Sequence, residues 1–227
     1  MYYFCGLNLS TMLQIKKFVF NPFQVNAYVL YDASGECVLI DPAVADDSET
    51  KALETFIQEN NLHPQMIINT HSHVDHLLGN HAVSSLYNIK LAAHPDGQPF
   101  IDRAVDSAAR FGLPLSQTKA IDIPLKDNQK ITFGNNTLKV LATPGHADGS
   151  VCLYHAETGI VISGDVLFNQ SIGRTDLPTG DYDVLQKSIW EKLFTLPDET
   201  VVYPGHGPHT TIGSEKVNNP FVAIGMA

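Results

Sequence analysis

Residues 70–81 read THSHVDHLLGNH, and four of these twelve positions are histidine. His71, His73, Asp75 and His76 fall within six residues of one another. On a continuous helix each residue turns by about 100°, so positions 71, 73 and 75 would point in different directions. A strand end followed by a loop can instead aim alternate side chains into one pocket. The sequence supplies that context, because the short buried-type strand MIIN (66–69) runs directly into the cluster. Neutral imidazoles suit a borderline-soft dication, and a carboxylate adds charge and orients water. The HxHxDH pattern at a strand–helix junction therefore reads as a metal site.

Three further strand exits deliver the same residue types. Thr143-Pro144-Gly145-His146 follows LKVLA, Ser163-Gly164-Asp165 follows GIVI, and Tyr203-Pro204-Gly205-His206 follows TVV. In each case the strand stops, glycine permits a tight turn, and one His or Asp stands at the exit. The inventory is then His71, His73, His76, His146 and His206 with Asp75 and Asp165. That exceeds what one four-coordinate zinc can use. Two adjacent divalent metals sharing a carboxylate account for all seven, and a water between two dications loses its proton near neutral pH.

THSHVDH, Gly-His at 146, Gly-Asp at 165 and Gly-His at 206, in this order, resemble the metallo-β-lactamase fold superfamily over nearly the whole chain from Met12. The resemblance implies an α/β fold, an αββα sandwich of two mixed β-sheets flanked by helices, with metal at the rim. It assigns His71, His73 and His146 to one metal, Asp75, His76 and His206 to a second, and Asp165 to both. Asp41, ending a strand before Pro42, is expected to orient the motif loop rather than bind metal. The metals implied are two divalent ions, zinc first, with iron or manganese admitted.

Two softer stretches narrow the reading. DVLFNQSIGRTDLPTGD (165–181) and GHGPHTTIGSEKVNNPF (205–221) resemble the short bacterial hydroxyacylglutathione hydrolase-like, or type II glyoxalase-like, proteins. That likeness implies hydrolysis of a thioester of a 2-hydroxy acid by a metal-bridging hydroxide, with Asp75 the catalytic group that orients it. Full-length type II glyoxalases add a C-terminal helical domain for the glutathione part. With the chain ending at Ala227, that domain is expected to be missing, and residues 95–120 are expected to supply part of the pocket wall. The GRTD stretch also resembles the persulfide dioxygenases. In that alternative His71, His146 and Asp165 hold one iron as a 2-His-1-carboxylate triad. Lactonases and β-lactamases of this fold share the ligands. A non-catalytic metal-binding sensor predicts substitutions among the ligands, and there are none.

The rest of the chain sets the frame. The 227 residues are 44% hydrophobic and 17% charged, and 24 acidic against 14 basic residues give a formal charge of −10. That balance disfavours nucleic acid and anionic membrane as partners; the glyoxalase-like resemblance implies a small-molecule thioester, and a homodimer is admitted. No apolar run approaches the roughly 18 residues of a spanning helix. No secretory signal is expected at the N-terminus, and Cys5, Cys37 and Cys152 are too scattered for a disulfide framework, so a cytoplasmic location is expected. Residues 1–11 read as an N-terminal extension and 12–227 as a single domain.

Strands are expected at 15–20, 27–31, 38–40, 66–68, 89–92, 130–133, 137–142, 151–155, 160–163 and 200–203. Helices are expected from a cap at Asp47 or Ser48 to Asn60, at 76–86, at 97–111, and at 181–196 with Val184, Leu185, Ile189, Trp190 and Leu193 inward. His63, His155 and His209 read as loop or turn residues, His81 as a bystander, and His94 as a residue near the pocket. For Arg174 a clamp on a substrate carboxylate competes with a buried ion pair to Asp176, and the ion pair is favoured.

Overall fold

Alternate side chains of the second strand enter two different cores, and this makes the molecule layered. Ala27 and Val29 join one buried cluster while Tyr28 and Leu30 join another. The third strand divides in the same way, with Cys37 and Leu39 opposite Val38 and Ile40. A strand apolar on both faces must be covered on both. These relations come from a computed structural model that describes residues 12–223. The proposed extension 1–11, with Cys5, lies outside the described residues.

Three strands come first, β1 (Gln14–Phe20), β2 (Val25–Tyr31) and β3 (Glu36–Ile40). Helix α1 (Asp47–Glu59) leads to β4 (His63–Ile68). Two short helices follow, α2 (Val74–Leu77) and α3 (Asn80–Tyr87), then β5 (Lys90–Ala93), α4 (Gln98–Asp102), α5 (Ala104–Phe111) and β6 (Ile123–Pro124). The second half runs β7 (Lys130–Phe133), β8 (Asn136–Ala142), β9 (Val151–His155), β10 (Ile160–Gly164) and the ribbon β11 (Leu167–Phe168)–β12 (Ser171–Ile172). It closes with α6 (Tyr182–Ser188), β13 (Val201–Pro204), β14 (Thr210–Thr211) and α7 (Ile212–Asn218).

The first six strands form one sheet in sequence order, antiparallel across β1–β2–β3 and parallel across β3–β4–β5–β6. The second sheet runs β14-β13-β10-β9-β8-β7, and only β10 and β13 pair in parallel. Leu53 and Ile57 of α1 with Ala104 and Ala108 of α5 cover the outer face of the first sheet. Leu185 of α6 with Ile189 and Leu193 beyond it covers the second, against Cys152, Val161 and Val202. Between the sheets Leu30, Ile40 and Ile68 meet Val140, Leu153 and Ile162. This is the expected αββα sandwich of two mixed sheets.

Polar ties close the sandwich at both rims. At one rim the Tyr28 hydroxyl crosses the core and donates to the Pro204 carbonyl at 2.6 Å. A buried hydroxyl left without a partner would cost about 1–3 kcal/mol, so this bond fixes the register of the two sheets. At the other rim buried Asp32 accepts from the backbone N–H of Asn135, in the β7–β8 turn, at 2.8 Å and from the amide of Asn136, which opens β8, at 2.8 Å. Burial alone would raise the Asp32 carboxyl; hydrogen bonds from Ser34 and Asn135 outweigh it and hold the group below the ordinary carboxylate range. Asp32→Ala is expected to lower unfolding free energy by about 2–3 kcal/mol, read from urea denaturation. A depressed folded-state pKa stabilises above the unfolded value of about 4, so the deficit should narrow as pH falls through the folded value.

Several local expectations need correction. The cap of α1 is Asp46, whose carboxylate accepts from Ser48 and Glu49, because residue 46 already has extended backbone and its neighbours are helical. The helix expected at 76–86 is two pieces beginning at Val74, and the one expected at 97–111 breaks at Arg103. That break turns Val105 and Phe111 outward, with Phe111 60% exposed, while Ile101, Ala104 and Ala108 form the inner stripe. Beyond α6, residues Ile189–Leu193 form a wider π-type turn. Leu185, Ile189 and Leu193 share the inner face, whereas Val184 and Trp190 lie to its sides and are exposed. The Trp190 indole N–H donates to the Val222 carbonyl at 2.8 Å, so its polar edge decides its place. His155 is no turn residue: it is buried at the end of β9, with Nδ1 2.8 Å from the Thr158 hydroxyl. His63 opens β4 rather than lying in a loop.

Candidate metal centre

The strand exits named by the sequence meet at one rim of the sandwich. His71 and His73 lie on the loop after β4, and Asp75 and His76 sit in the short helix α2. His146 follows β8, Asp165 follows β10, and His206 follows β13. Cross-sheet bonds hold these loops together. Val151 N–H donates to the Thr70 carbonyl at 2.8 Å, and Asn26 N–H to the Gly205 carbonyl at 2.7 Å. The Asn21 amide reaches both Ala43 and Asp75 carbonyls, at 3.1 and 2.9 Å.

All seven expected residues converge. His71, His73 and His146 each offer a donor atom within 4.8 Å of the others, as do Asp75, His76 and His206, and also His71, His76 and Asp165. Asp165 faces both sides: its carboxylate oxygens lie 3.7 Å from His146 Nε2, 3.5 Å from His76 Nε2 and 3.4 Å from His206 Nε2. Asp75 lies 3.4 Å from His206 Nε2 and 3.7 Å from His76 Nε2.

The partners of the outward-facing ring nitrogens fix the tautomers. His146 Nδ1–H donates to the Arg174 carbonyl at 2.8 Å, and His206 Nδ1–H to the Phe23 carbonyl at 3.0 Å, since a carbonyl can only accept. His76 Nδ1 lies 3.0 Å from an Asp41 oxygen. The Thr70 hydroxyl gives its proton to Asp41 at 2.6 Å, so it must accept from His71 Nδ1 at 3.2 Å. Each Nε2 therefore turns a bare lone pair inward, the arrangement metal-binding histidines use. The Nε2 atoms of His71, His73 and His146 and Oδ1 of Asp165 are buried without a hydrogen-bond partner. Nε2 of His76 and of His206 face each other at 3.3 Å. Buried lone pairs orphaned on this scale are too costly to keep without a cation, so the residues fit a metal cluster.

Electrostatics divide the histidines into two groups. Burial and then the neighbouring histidines hold His71 well below the ordinary imidazole range, and His73 falls to about 4 for the same reasons. Burial also lowers His146. These three stay neutral, the form a dication needs. For His76 and His206 burial works in the same direction but is outweighed by carboxylates, Asp165 first for both, and His206 rises to about 9. Burial would raise Asp165, yet His76 and His206 hold it well below the carboxylate range.

Asp41 takes the orienting place expected of it. It accepts from the Thr70 N–H at 2.8 Å and the Asn69 amide at 3.0 Å besides the two contacts above, and it adopts a left-handed φ of 44°. Gly205 is required for a different reason: a Cβ there would run into the Asp165 carboxylate and the His76 ring. Arg174 is paired with Asp176 at 2.7 and 2.8 Å, as favoured, but the pair is exposed rather than buried. His81 and His94 stay outside the cluster, and His94 caps the turn at Pro95–Gly97. His209 stacks on Tyr203, 6.2 Å between ring centroids.

A cleft of about 750 Å³ opens over the cluster. As expected of residues 95–120, Phe100, Arg103, Arg110 and Phe111 form one wall. Phe100 packs edge-on to His73 at 5.5 Å, and Phe111 edge-on to Phe23 at 6.0 Å. The sequence places Phe100 and Phe111 on one amphipathic helix over 97–111 without distinguishing them from Ile101 and Ala108, which face the core. Pro99 sits in the first turn of α4, where proline is tolerated, and the stripe is split later, at Arg103.

Comparison with known proteins matches this site to a family. The signature of the metallo-β-lactamase superfamily matches residues 20–206. Hydroxyacylglutathione hydrolase GloC of Haemophilus influenzae is 33% identical over 207 residues, covering 88% of this chain and 93% of that protein. The crystal structure of BLEG-1 B3 metallo-β-lactamase superposes with a TM-score of 0.83 at 40% identity, covering 92% of this chain and 99% of that one. That of TTHA1623 in a di-iron-bound form gives 0.80 at 37%, covering 91% and 99%. The chain, with this fold and this His/Asp metal-binding cluster, belongs to the metallo-β-lactamase superfamily and is a metallo-hydrolase.

Proposed function

We propose that the protein hydrolyses a thioester of a 2-hydroxy acid, using two divalent ions. His71, His73 and His146 would hold one ion, Asp75, His76 and His206 the other, and Asp165 would touch both. Zinc is the expected metal, with iron or manganese as substitutes. The observation that carries this reading is the pairing of two complete donor sets across one shared carboxylate. When bound, such ions supply an activated water and a Lewis acid for the acyl oxygen. In the alternative with a single iron on His71, His146 and Asp165, the buried His73 Nε2 would keep no partner. Support for two ions also comes from the di-iron-bound form of TTHA1623, and support for the thioester from the likeness to GloC.

The chain's own groups have defined tasks in this reaction. The Asp75 carboxylate, beside His76 and His206, accepts a hydrogen bond from the attacking water and aims it at the acyl carbon. Phe100 and Phe168 flank the cluster, keep bulk water back and strengthen the electrostatics within. A thiolate leaves without help, so the absence of a further acid among the cleft residues fits a thioester better than an alkyl ester. The buried, unpaired thiols Cys37 and Cys152 suit a reducing, cytoplasmic setting.

The test is a comparison of three reactions on protein purified with its metal. S-lactoylglutathione should be cleaved with a kcat/KM of at least about 10⁴ M⁻¹s⁻¹, an ordinary enzyme value. Nitrocefin should be opened far more slowly, and glutathione persulfide should cause no oxygen uptake. Oxygen uptake with one iron per chain, or nitrocefin as the better substrate, would overturn the proposal.

A further inference from the structure

The chain contains three arginines, Arg103, Arg110 and Arg174, and all three line the one cleft above the metal cluster, while no lysine does. In a protein with a formal charge of −10, the cleft thus gathers every arginine, beside the aspartates Asp75 and Asp165. Arg174 is committed to Asp176. Arg103, at the break between α4 and α5, and Arg110, in the last turn of α5, make no ion pair or side-chain hydrogen bond among the described residues. Asp102, next to Arg103, is engaged by the Gln98 amide at 2.7 Å, and neither it nor Asp106 lines the cleft.

Seven residues apart is two helical turns, so the two guanidinium groups rise from one side of α5 with origins about 10 Å apart. The wall beside them is formed by Ala104 and Phe111, with Ser107 between the two arginines. It joins the metal cluster through Phe111 against Phe23, whose carbonyl holds His206. Two planar forks set that far apart suit two separated carboxylates better than one phosphate. We propose that Arg103 and Arg110 form the specificity lip of the cleft, binding the two carboxylates of a peptide-like thiol whose acyl sulfur lies over the cluster. This rests on the thioester reading, and it supplies from within the fold the anion recognition that the substrate's thiol half needs.

Binding and turnover separate the two claims. S-methylglutathione, a thioether that cannot be cleaved, serves as the binding probe in titration calorimetry. S-lactoylglutathione and the uncharged S-lactoyl-N-acetylcysteamine serve as substrates. The paired substitution Arg103→Gln and Arg110→Gln should raise both the Kd of the probe and the KM of S-lactoylglutathione by about tenfold to 100-fold, with kcat changed less than about threefold. Cleavage of the uncharged thioester should change less than about threefold. Arg103→Lys with Arg110→Lys should recover part of the binding, and high salt should weaken it in the wild-type protein. An unchanged Kd, or equal losses on charged and uncharged thioesters, overturns the lip. A larger penalty on S-lactoyl-coenzyme A than on S-lactoylglutathione overturns the carboxylate assignment in favour of phosphate. If the wild-type protein cleaves neither thioester, the hydrolase reading falls, and the Kd ratio alone still decides the lip.

Discussion

Asp165→Asn is expected to cost one of two metal equivalents and to reduce kcat/KM for S-lactoylglutathione by about 10³-fold or more. The reason is its position between two sets of imidazoles, 3.7 Å from His146 and 3.4–3.5 Å from His206 and His76. Two dications brought close repel strongly in a buried site, and this carboxylate is the charge that both can share. Asparagine keeps the shape and removes the charge, so a folded variant separates the two effects. Metal content by plasma emission spectrometry and steady-state kinetics make the check. Two retained equivalents with activity within tenfold of the wild type would remove Asp165 from the centre.

The second large effect is expected at a residue that meets no metal. Asp41→Asn should weaken metal affinity and activity by about 10-fold to 100-fold. Asp41 is the acceptor of four hydrogen bonds, from Thr70 twice, Asn69 and His76. Through Thr70 it also fixes the tautomer of His71. Asparagine tolerates the left-handed backbone at this position, so strain is not introduced. Asp41 Oδ1 accepts from the Thr70 N–H and the Asn69 amide, and Oδ2 takes the Thr70 hydroxyl and His76 Nδ1, so the single oxygen of asparagine can serve only one of these two pairs and turns an N–H₂ on the other. Competition with a fluorescent chelator measures the affinity. An unchanged value would mean that the loop holds His76 without the carboxylate.

The metal centre was legible because its residues are chemically restricted and placed at strand exits. His71, His73, His76, His146, His206 and the two aspartates Asp75 and Asp165 could be named from spacing and turn residues alone. The four-layer fold was legible for a related reason, since Val38 to Ile40 is apolar on successive positions and demands cover on both faces. Helix breaks were less legible. The stretch 97–111 has helical periodicity throughout, and periodicity does not report where an axis changes direction. The same gap hid Arg103 and Arg110, whose two-turn spacing matters only once Ala104 and Ala108 are seen to face the sheet. Trp190 was misplaced because hydrophobicity scales weigh the indole ring and overlook its N–H.

The origin of the ligands has a consequence for handling the molecule. His71, His73, Asp75 and His76 come from the first sheet, and His146, Asp165 and His206 from the second. An ion seated among them is thus a clasp between two halves of the sandwich, and its binding energy adds to their cohesion by mass action. Material stripped with a chelator has lost a fastening as well as a reagent. A preparation without metal is a looser protein, and inactivity in such material says nothing about the substrate.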